Sequence, residues 1–318
     1  MKRLVLVLFM ATPSIAAERE YAPLPKAISS FGAAVADGQV YVYGGHSGKA
    51  HSYSTETTQG KFLRLDLAKP DKWEELPGGP ILQGLAVVAH AGKIYRIGGM
   101  QPKNKPGEKA DAASLSLVAC FDPKANKWEE LPNLPEGRSS HDAAVVGDTI
   151  VVAGGWKMNG ESKESDWHTT ALMLDLSKQP LKWEAVEQPF KRRALTMAGL
   201  DGKAYIIGGL LPDGKMERGV DVFDPEKKTW SKTAEIPDGA MNGFSPAACV
   251  CDGRLYLSPA DGKIYRLSEK GAWVEVAALK QARFVHRLVA IGKNEMLAVG
   301  GASHKGTVDL TERVTPMK

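Results

Sequence analysis

Several cationic side chains stand at places in this chain where a ligand could be bound. Arg138 and His141 lie in an Arg-Ser-Ser-His segment, Arg283 and His286 lie in an Arg-Phe-Val-His segment, and Arg193 ends a Lys-Arg-Arg segment. Guanidinium groups that converge on one place suit an anionic ligand, such as a sugar that carries a carboxylate. The alternative is that these side chains only tether loops by hydrogen bonds. The sequence leaves both uses open.

Two tryptophans, Trp156 and Trp167, are additional to the regular tryptophan spacing of the chain and stand in a polar segment that ends near His168. A tryptophan in such a segment can clamp a loop to its scaffold. It can also offer an apolar platform to a sugar ring or to the side chain of a partner protein. The predicted ligand-binding residues are therefore Arg138, His141, Trp156, Trp167, His168, Arg193, Arg283 and His286.

Standard catalytic and metal-binding signatures are missing from the sequence. It contains no G-x-S-x-G, H-E-x-x-H, EF-hand or P-loop pattern. Cys249 and Cys251 supply at most half of a metal site, and no histidine is close to them in sequence. We therefore expect no metal and no cofactor, and no catalytic residue can be assigned. Acid–base pairs of a carboxylate and a histidine could be built from Glu164, Asp166, His168 and His141.

These residues are positioned by a unit of about fifty residues that recurs along the chain. Each unit has an apolar strand that ends in a glycine pair, a loop, a strand that ends in Asp, and a strand that begins with Trp. Four short antiparallel strands per unit are typical of a propeller blade. The glycine pairs are at 44–45, 98–99, 154–155, 208–209 and 300–301, and the tryptophans are Trp73, Trp128, Trp183, Trp230 and Trp273.

The units predict a ring of six blades in an all-β propeller. The last unit lacks a tryptophan strand, and residues 19–25 resemble Trp73 to Pro77 with Tyr21 in place of the tryptophan. We therefore expect this N-terminal strand to close the last blade, because an open ring would leave an unpaired edge. The predicted blades are 28–77, 82–132, 137–188, 192–237, 243–279, and 283–315 together with 19–25.

The repeated pattern resembles the kelch repeat, in which a hydrophobic strand runs into Gly-Gly and is followed by a strand ending in Asp and then by Trp. It stands in full four times, from Gly44 to Trp73, Gly98 to Trp128, Gly154 to Trp183 and Gly208 to Trp230. The resemblance implies a six-bladed kelch β-propeller. It implies no single activity, because kelch propellers serve as protein-binding modules, sugar-binding domains and a few enzymes.

Blade topology places the loops after the glycine pairs on one face, around the mouth of the channel. Three of them are long: residues 46–60, 100–114 and 156–170. Long loops on a rigid scaffold usually carry recognition. We therefore expect a protein or carbohydrate partner at the channel mouth, and a non-catalytic binding protein is the first functional hypothesis.

An enzyme is the alternative. The exported bacterial sialic-acid mutarotases (N-acetylneuraminate epimerases) are also six-bladed kelch propellers, and this distant resemblance implies a mutarotase or epimerase for an acidic sugar such as sialic acid. Arg138, Arg193 or Arg283 would then bind the substrate carboxylate. A copper radical oxidase like galactose oxidase is disfavoured, because that class has seven blades and a Cys–Tyr cross-link at the metal, whereas Cys120 is placed in a third strand.

The N-terminus predicts export. Residues 1–16 combine Lys2 and Arg3, an apolar run and a small-x-small cleavage site, as a signal peptide does. The mature chain, 17–318, is expected to be one propeller domain in the periplasm or secreted, and no second apolar stretch predicts membrane insertion. Removing Lys2 and Arg3 lowers the count of basic residues from 41 to 39 against 37 acidic ones, so the net charge is near +2. This balance predicts no nucleic-acid partner.

Overall fold

The structure, a computed structural model, describes residues 20–162 and 164–317. The predicted signal peptide lies outside the described residues. Every regular element in the described part of the chain is a β-strand. The first four strands form one antiparallel sheet in chain order: β1 (Gly32–Ala36), β2 (Gln39–Tyr43), β3 (Phe62–Asp66) and β4 (Trp73–Leu76).

The second and third units have the same plan with additional strands. Strands β5, β6, β9 and β10 form the second sheet, and β11, β12, β14 and β15 form the core of the third. Strand β12 extends beyond its sheet, where it pairs with β13 and with the β7–β8 hairpin. The strands are β5 (Ala86–His90), β6 (Lys93–Ile97), β7 (Met100–Pro102), β8 (Ala112–Ser114), β9 (Val118–Asp122), β10 (Lys127–Leu131), β11 (Ser139–Val146), β12 (Thr149–Gly160), β13 (Ser165–Trp167), β14 (Thr170–Asp175) and β15 (Trp183–Glu187).

The remaining strands form two further four-stranded sheets, β16–β19 and β20–β23, a three-stranded sheet of β24, β25 and β28, and the short β26–β27 hairpin. They are β16 (Thr196–Leu200), β17 (Lys203–Leu210), β18 (Met216–Asp224), β19 (Thr229–Thr233), β20 (Ala247–Cys251), β21 (Arg254–Ser258), β22 (Lys263–Leu267), β23 (Trp273–Ala278), β24 (Arg287–Gly292), β25 (Glu295–Val299), β26 (Ala302–Ser303), β27 (Gly306–Thr307) and β28 (Thr311–Val314).

The sheets are arranged around an axis. The first strand of each sheet contacts the first strand of the next, in the order β1, β5, β11, β16, β20 and β24, and β24 also contacts β1. The hydrophobic core fills the spaces between neighbouring sheets, as where Phe62 of β3 packs edge-on against Phe121 of β9 with ring centroids 4.9 Å apart. The molecule is therefore an all-β propeller, as the repeats predict.

The glycine pairs join neighbouring units through the backbone. The second glycine of each pair donates its N–H to a carbonyl at the start of the following unit, as Gly45 does to Leu82 at 2.8 Å. A Cβ on Gly44 would lie 2.4 Å from the same carbonyl oxygen, so the pair must be glycine. The last pair makes the same contact with the first unit, from Gly301 to Ile28 at 2.9 Å.

The repeat tryptophans form a second set of bonds between units. Each indole N–H donates to a carbonyl near the outermost strand of the preceding unit. The pairs are Trp128 with Pro77, Trp183 with Pro132, Trp230 with Glu187, and Trp273 with Ala234. Trp73 has no earlier complete unit to bond to, and its indole donates to Ala22 at 3.0 Å. Ala22 of the N-terminal segment therefore holds the position that these carbonyls hold elsewhere.

The last unit differs from its prediction in two ways. Its third strand is β28, Thr311–Val314, which does not end in Asp as the repeat predicts for this strand. Residues 20–25 pack beside this sheet with Leu24 buried, but they form no strand, and the Leu24 N–H donates to the carbonyl of Asp309, just before β28, at 2.8 Å. Pro23 and Pro25 explain this, because proline has no N–H to donate to a strand ladder.

Candidate functional site

A closed ring of backbone hydrogen bonds surrounds the axis on the face that carries the long loops, which we call the loop face. One residue at the start of each unit donates its N–H to the equivalent carbonyl of the preceding unit, at 2.7 to 3.4 Å. Each of these residues has a φ between 42 and 59°. This axial ring consists of Ser30, Gly84, Ser140, Ala194, Ser245 and Val285.

The residue that precedes each member of the axial ring lines the channel mouth. Three of these mouth residues, Ser29, Gln83 and Ser139, are buried. Gln83 contacts Met100, and Ser139 Oγ lies 2.7 Å from Ser114 Oγ. The other three, Arg193, Phe244 and Phe284, are half-buried, so part of each side chain is accessible to a ligand. The complete set of mouth residues is Ser29, Gln83, Ser139, Arg193, Phe244 and Phe284.

The three long loops, residues 46–60, 100–114 and 156–170, are linked to one another, and we call them the loop crown. Asn104 of the second loop donates its side-chain amide to the Tyr53 carbonyl at 2.9 Å. The second loop pairs with the third through β8 and β12, and Lys109 forms an exposed ion pair with Glu161. The loops are therefore partly regular hairpins, and they form a wall over one side of the mouth.

Arg193 is the mouth residue that can meet an anion. Its guanidinium carbon lies 4.0 Å from the centre of the Trp156 ring and 5.9 Å from that of Trp167. The two indoles are themselves 5.7 Å apart, because their residues are opposite each other in the β12–β13 ladder. In the described part of the chain Arg193 Nε and Trp156 Nε1 have no hydrogen-bond partner. The structure thus brings together three of the predicted site residues as a cation on an aromatic support.

Tyr53 of the loop crown lies near the charge of Arg193, and His46 packs against Tyr53. Burial raises the pKa of Tyr53, and the nearby positive charge of Arg193 opposes that rise. The ring of His46 is 5.1 Å from that of Tyr53, edge to face, and burial lowers the pKa of His46. His46 Nε2 lies 3.2 Å from the Lys49 carbonyl, whereas Nδ1 is buried without a partner among the described residues. At neutral pH the pair therefore holds a protonated phenol and a neutral imidazole.

Two of the predicted arginines are instead part of the scaffold. Arg138 is 2% exposed and donates to the Gly154 and Thr170 carbonyls. Burial lowers its pKa to about 9, so it remains charged at neutral pH. Arg283 is 0% exposed and bonds to the Glu312 carboxylate at 2.8 Å and to a backbone carbonyl of β25. Arg192 holds the equivalent place in its unit, where it is paired with Asp221. The terminal Nη donors of these arginines bond inside the protein, whereas the Nε of each is buried without a partner among the described residues.

The predicted histidines are also buried. His168 lies 3.1 Å from the Gly137 carbonyl through Nε2, and His286 lies 2.9 Å from Ser258 Oγ through the same atom. Both ring nitrogens of His141 lack a hydrogen-bond partner within the described residues. His141 and His286 line a cavity of about 60 Å³ at the axial ring. The structure therefore does not bring Arg138, His141, His168, Arg283 and His286 to the surface that Arg193 occupies, and a ligand-binding role for them stays a prediction.

Glu164 and Asp166, the carboxylates that the sequence offers for acid–base chemistry, are exposed on the outer side of the loop crown. Asp166 accepts a hydrogen bond from Asn159 at 3.0 Å. Neither carboxylate bonds to His141 or to His168 in the described part of the chain. Tyr53 is absent from the predicted site residues, because only the folded loop places it near the charge of Arg193.

An ion pair crosses the channel beneath the axial ring. Arg287 at the start of β24 reaches the Asp142 carboxylate of β11 at 2.9 Å, and it also donates to the carbonyls of Phe31 and Leu85. Asp142 accepts further hydrogen bonds from the N–H of Met197 and from a neighbouring threonine. Arg287 lines both the small axial cavity and the wider channel of about 290 Å³ on the opposite side. The pair therefore separates the two spaces and ties units across the ring.

The buried histidines predict that stability falls as the pH drops below about 6.5, the ordinary histidine value. Burial places the pKa of His141 and His286 well below that value and lowers the pKa of His168 to about 4, helped by the charge of Arg138. The unfolded chain then binds more protons than the folded one, so the free energy of unfolding decreases by up to about 1.4 kcal/mol per pH unit for each histidine.

Urea unfolding of the protein at about pH 7 and about pH 5 measures this effect. The variant His286→Gln is expected to flatten the pH dependence, whereas His304→Gln, at an exposed histidine, leaves it unchanged. An equal free energy of unfolding at both pH values would contradict the assignment of neutral buried histidines.

Neither a metal site nor a membrane-spanning helix is found in the part of the chain that the structure describes. Residues 20–162 and 164–317 contain no group of three or more His, Cys, Asp or Glu side chains that could hold a metal ion. The same residues include no helix long and apolar enough to cross a bilayer. The three cysteines Cys120, Cys249 and Cys251 are free thiols.

Comparison with known proteins identifies the family. A family model described as the KLHDC2/KLHL20/DRC7 Kelch-repeats domain matches residues 84–301. The chain belongs to the kelch-repeat family. This confirms the resemblance that the glycine pairs and tryptophans carry. A solved structure reported as "Structure of YjhT" superposes with a TM-score of 0.71 over 93% of this chain and 97% of that one. At 19% identity this likeness shows the kelch propeller fold alone.

Curated kelch proteins match most of this chain but are much longer. Kelch-like protein 35 of Mus musculus is 21% identical over 75% of this chain and 36% of its own length. Beta-scruin of Limulus polyphemus is 26% identical over 72% of this chain and 24% of its own length. Kelch-like protein terF of Aspergillus terreus is 25% identical over 69% of this chain and 47% of its own length. The chain thus spans less than half of each of these relatives.

Proposed function

We propose that the loop face binds an acidic sugar and equilibrates its anomers, as a mutarotase or epimerase does. The observation that carries the proposal is the half-buried guanidinium of Arg193, which stacks on Trp156 and has no carboxylate partner among the described residues. An arginine fork fits a carboxylate with two hydrogen bonds, and an indole offers an apolar face to a pyranose ring. This is also the activity that the resemblance to the sialic-acid mutarotases implies.

The proposed chemistry needs only proton transfer. As the bond between the anomeric carbon and the ring oxygen breaks, the ring oxygen takes a proton and the anomeric hydroxyl loses one. The open carbonyl form then closes from its other side with the protons exchanged. Tyr53, protonated at neutral pH, is the proposed proton donor to the ring oxygen. Solvent water at the channel mouth is the proposed acceptor of the anomeric hydroxyl proton, because His46 is 3% exposed and its Nδ1 is buried.

Anomer exchange measured by NMR tests this function. Freshly dissolved single anomers of glucuronate, sialate and glucose are followed with and without the protein. We expect faster equilibration of the acidic sugars, and Tyr53→Phe should reduce the acceleration by about 10²- to 10⁴-fold. The variant Lys109→Gln, which removes an exposed charge of the loop crown, should leave the acceleration unchanged. Unaccelerated exchange of all three sugars would refute the catalytic function.

A non-catalytic binding protein for a carbohydrate or a protein is the second candidate. It is favoured by the burial of the histidines that the sequence offered for acid–base chemistry, and by a loop crown whose hairpins form a rigid wall. Under this candidate, acidic sugars bind at Arg193 without faster anomer exchange. Binding measured by calorimetry beside the exchange assay therefore separates the two candidates.

We propose that the ring has six blades and that residues 20–25 complete the last one in place of a regular strand. The indole bond from Trp73 to Ala22 supports this, because Ala22 then takes the place of Pro77 and its equivalents. The contact from Gly301 to Ile28 supports closure on the loop-face side. Leu24 adds buried apolar surface to the core between the first and last units.

Replacing Leu24 tests this closure. Leu24 is 2% exposed, so Leu24→Ala should lower the free energy of unfolding by about 2–5 kcal/mol. The matched control is Met317→Ala at an exposed apolar residue near the other end, which should change it by less than about 0.5 kcal/mol. Equal urea midpoints for the two variants would show that the N-terminal segment contributes nothing to the ring.

We further propose that the protein is exported to the periplasm or the medium, on the strength of the signal-like sequence at 1–16. Cleavage there would leave a few residues before Tyr21, so the mature N-terminus would begin close to the segment that packs on the last unit. Sequencing the N-terminus of protein recovered from a bacterial host tests cleavage, and recovery with Met1 intact would argue against export.

A further inference from the structure

The mouth residues Phe244 and Phe284 form a half-buried aromatic pair on the side of the channel mouth that the loop crown leaves open. We propose that this pair is a second subsite, which binds an aromatic substituent of the ligand whose carboxylate lies on Arg193. The inference deepens the proposed function and rests on it for the position of the anion. It assigns the ligand to a chemical class, namely an acidic sugar that carries an aryl group.

The pair is a defined surface. The two ring centroids are 5.7 Å apart at an interplanar angle of 57°, and the His304 ring lies 6.2 Å from that of Phe284. Both phenylalanines are half-buried, whereas mouth residues on the opposite side, such as Gln83 and Ser139, are buried under the loop crown. Aromatic side chains held half-open in this way offer an apolar face that a planar group can stack on.

The aromatic pair follows Arg193 around the mouth. Mouth residues of consecutive units are spaced by the axial ring, in which Ser245 donates to Ala194 at 2.8 Å and Val285 donates to Ser245 at 3.1 Å. Arg193, Phe244 and Phe284 each directly precede one of these residues. The cation and the two rings are therefore consecutive positions on one rim, so a single ligand can reach both subsites.

The scaffold fixes both phenylalanines in place. Asn242 is 0% exposed and donates to the Pro237 carbonyl and to the Asp261 carboxylate at 3.1 Å, which holds the turn that carries Phe244. Phe284 pairs with Ala302 through two backbone hydrogen bonds of 2.8 and 2.9 Å. Side chains whose backbone is held in this way lose little freedom when a ligand binds, which favours affinity.

Short loops leave the pair accessible. After β21 the chain turns within four residues, Pro259 to Gly262, and after β25 it forms only the β26–β27 hairpin. The three loops of the crown are each about fifteen residues long and stand on the other side of the mouth. An extended substituent on the ligand therefore has room over Phe244 and Phe284 and not over the crown.

Calorimetric binding of three probes tests the subsite: glucuronate, phenyl glucuronide and phenyl glucoside. The two phenyl glycosides report binding only, because their substituted anomeric oxygen prevents anomer exchange. For the unchanged protein we expect phenyl glucuronide to bind about 3- to 10-fold more tightly than glucuronate, as an aromatic contact of about 0.5–1.5 kcal/mol gives. Phe284→Ala should abolish this gain and leave glucuronate affinity unchanged. Phe284→Leu, which keeps apolar bulk, should retain part of the gain and guards against misfolding of the alanine variant.

The control is Met216→Ala, which removes an exposed apolar side chain from the β18 end of the same region without touching the mouth. Equal affinity for glucuronate and phenyl glucuronide, or a gain that persists in Phe284→Ala, would overturn the subsite while leaving the anion site intact. Conversely, phenyl glucoside binding that is lost in Phe284→Ala, with no binding of glucuronate, would keep the subsite and refute the acidic-sugar function.

Discussion

Replacing Arg193 by Gln is expected to weaken the binding of glucuronate by about 10- to 100-fold, because the carboxylate loses a charged hydrogen-bond donor worth about 1.5–3 kcal/mol. The affinity for glucose, which has no carboxylate, should change little. Calorimetry with the two sugars measures the difference. The expected loss of glucuronate affinity is due to Arg193 itself, because this side chain has no carboxylate partner in the described residues and stacks on Trp156.

Two further variants make this result specific. Arg193→Lys keeps the charge but loses the planar fork and the stacking on Trp156, so it should recover only part of the affinity. Lys109→Gln removes a charge of the same sign from the loop crown, where Lys109 is exposed and paired with Glu161, and should have no effect. If Lys109→Gln weakened binding as much as Arg193→Gln, general electrostatic attraction would account for the affinity.

Arg287→Met is expected to give the largest loss of stability, about 3 kcal/mol or more. The substitution leaves the Asp142 carboxylate, which is 5% exposed, without its only cationic partner among the described residues. It also leaves the carbonyls of Phe31 and Leu85 without the donors that bridge the channel. Chemical unfolding monitored by tryptophan fluorescence measures the change in the free energy of unfolding.

Arg64→Met is the matched control for this prediction. Arg64 pairs with Glu74 at 2.6 Å on the surface, and exposed pairs contribute about 1 kcal/mol at most. The double variant Arg287→Met with Asp142→Leu should be more stable than Arg287→Met alone, because no carboxylate remains unpaired. If Arg287→Met unfolded at the same urea concentration as Arg64→Met, the ion pair of Arg287 with Asp142 would not stabilise the ring.

The strands could be predicted because the repeat fixes them locally. Strand β3, Phe62–Asp66, ends in Asp as the repeat predicts, since a pleated strand ends where Asp begins a turn. The role of the glycine pairs was only partly predicted. The sequence places each pair at the end of a strand, whereas the contacts of the pair, such as the bond from the Gly45 N–H to the Leu82 carbonyl, join neighbouring sheets. A contact between sheets depends on their packing, which a local pattern does not encode.

The functional surface could be predicted only in part. Arg192 and Arg193 are adjacent in sequence, yet Arg192 is 2% exposed and paired with Asp221 while Arg193 lies at the mouth. In a regular strand, alternate residues face opposite sides, so the pattern predicts which side chains are buried. The left-handed conformation of Ala194 interrupts that alternation, so the sequence does not show which of the two arginines is buried. Tyr53 lies near the charge of Arg193, and Asn104 of another loop bonds to the Tyr53 carbonyl, so its position depends on contacts between loops that are distant in sequence.

The indole N–H signals of the seven tryptophans give the most direct test of a loop-face site for an acidic sugar. In ¹H–¹⁵N spectra recorded during a titration with glucuronate, the signal of Trp156, identified with Trp156→Phe, should shift saturably, since its N–H is unpaired beside Arg193. The five repeat indoles, each bonded to a carbonyl between units, should stay in place. A Trp156 signal that does not move, or one that moves equally with glucose, would contradict the account.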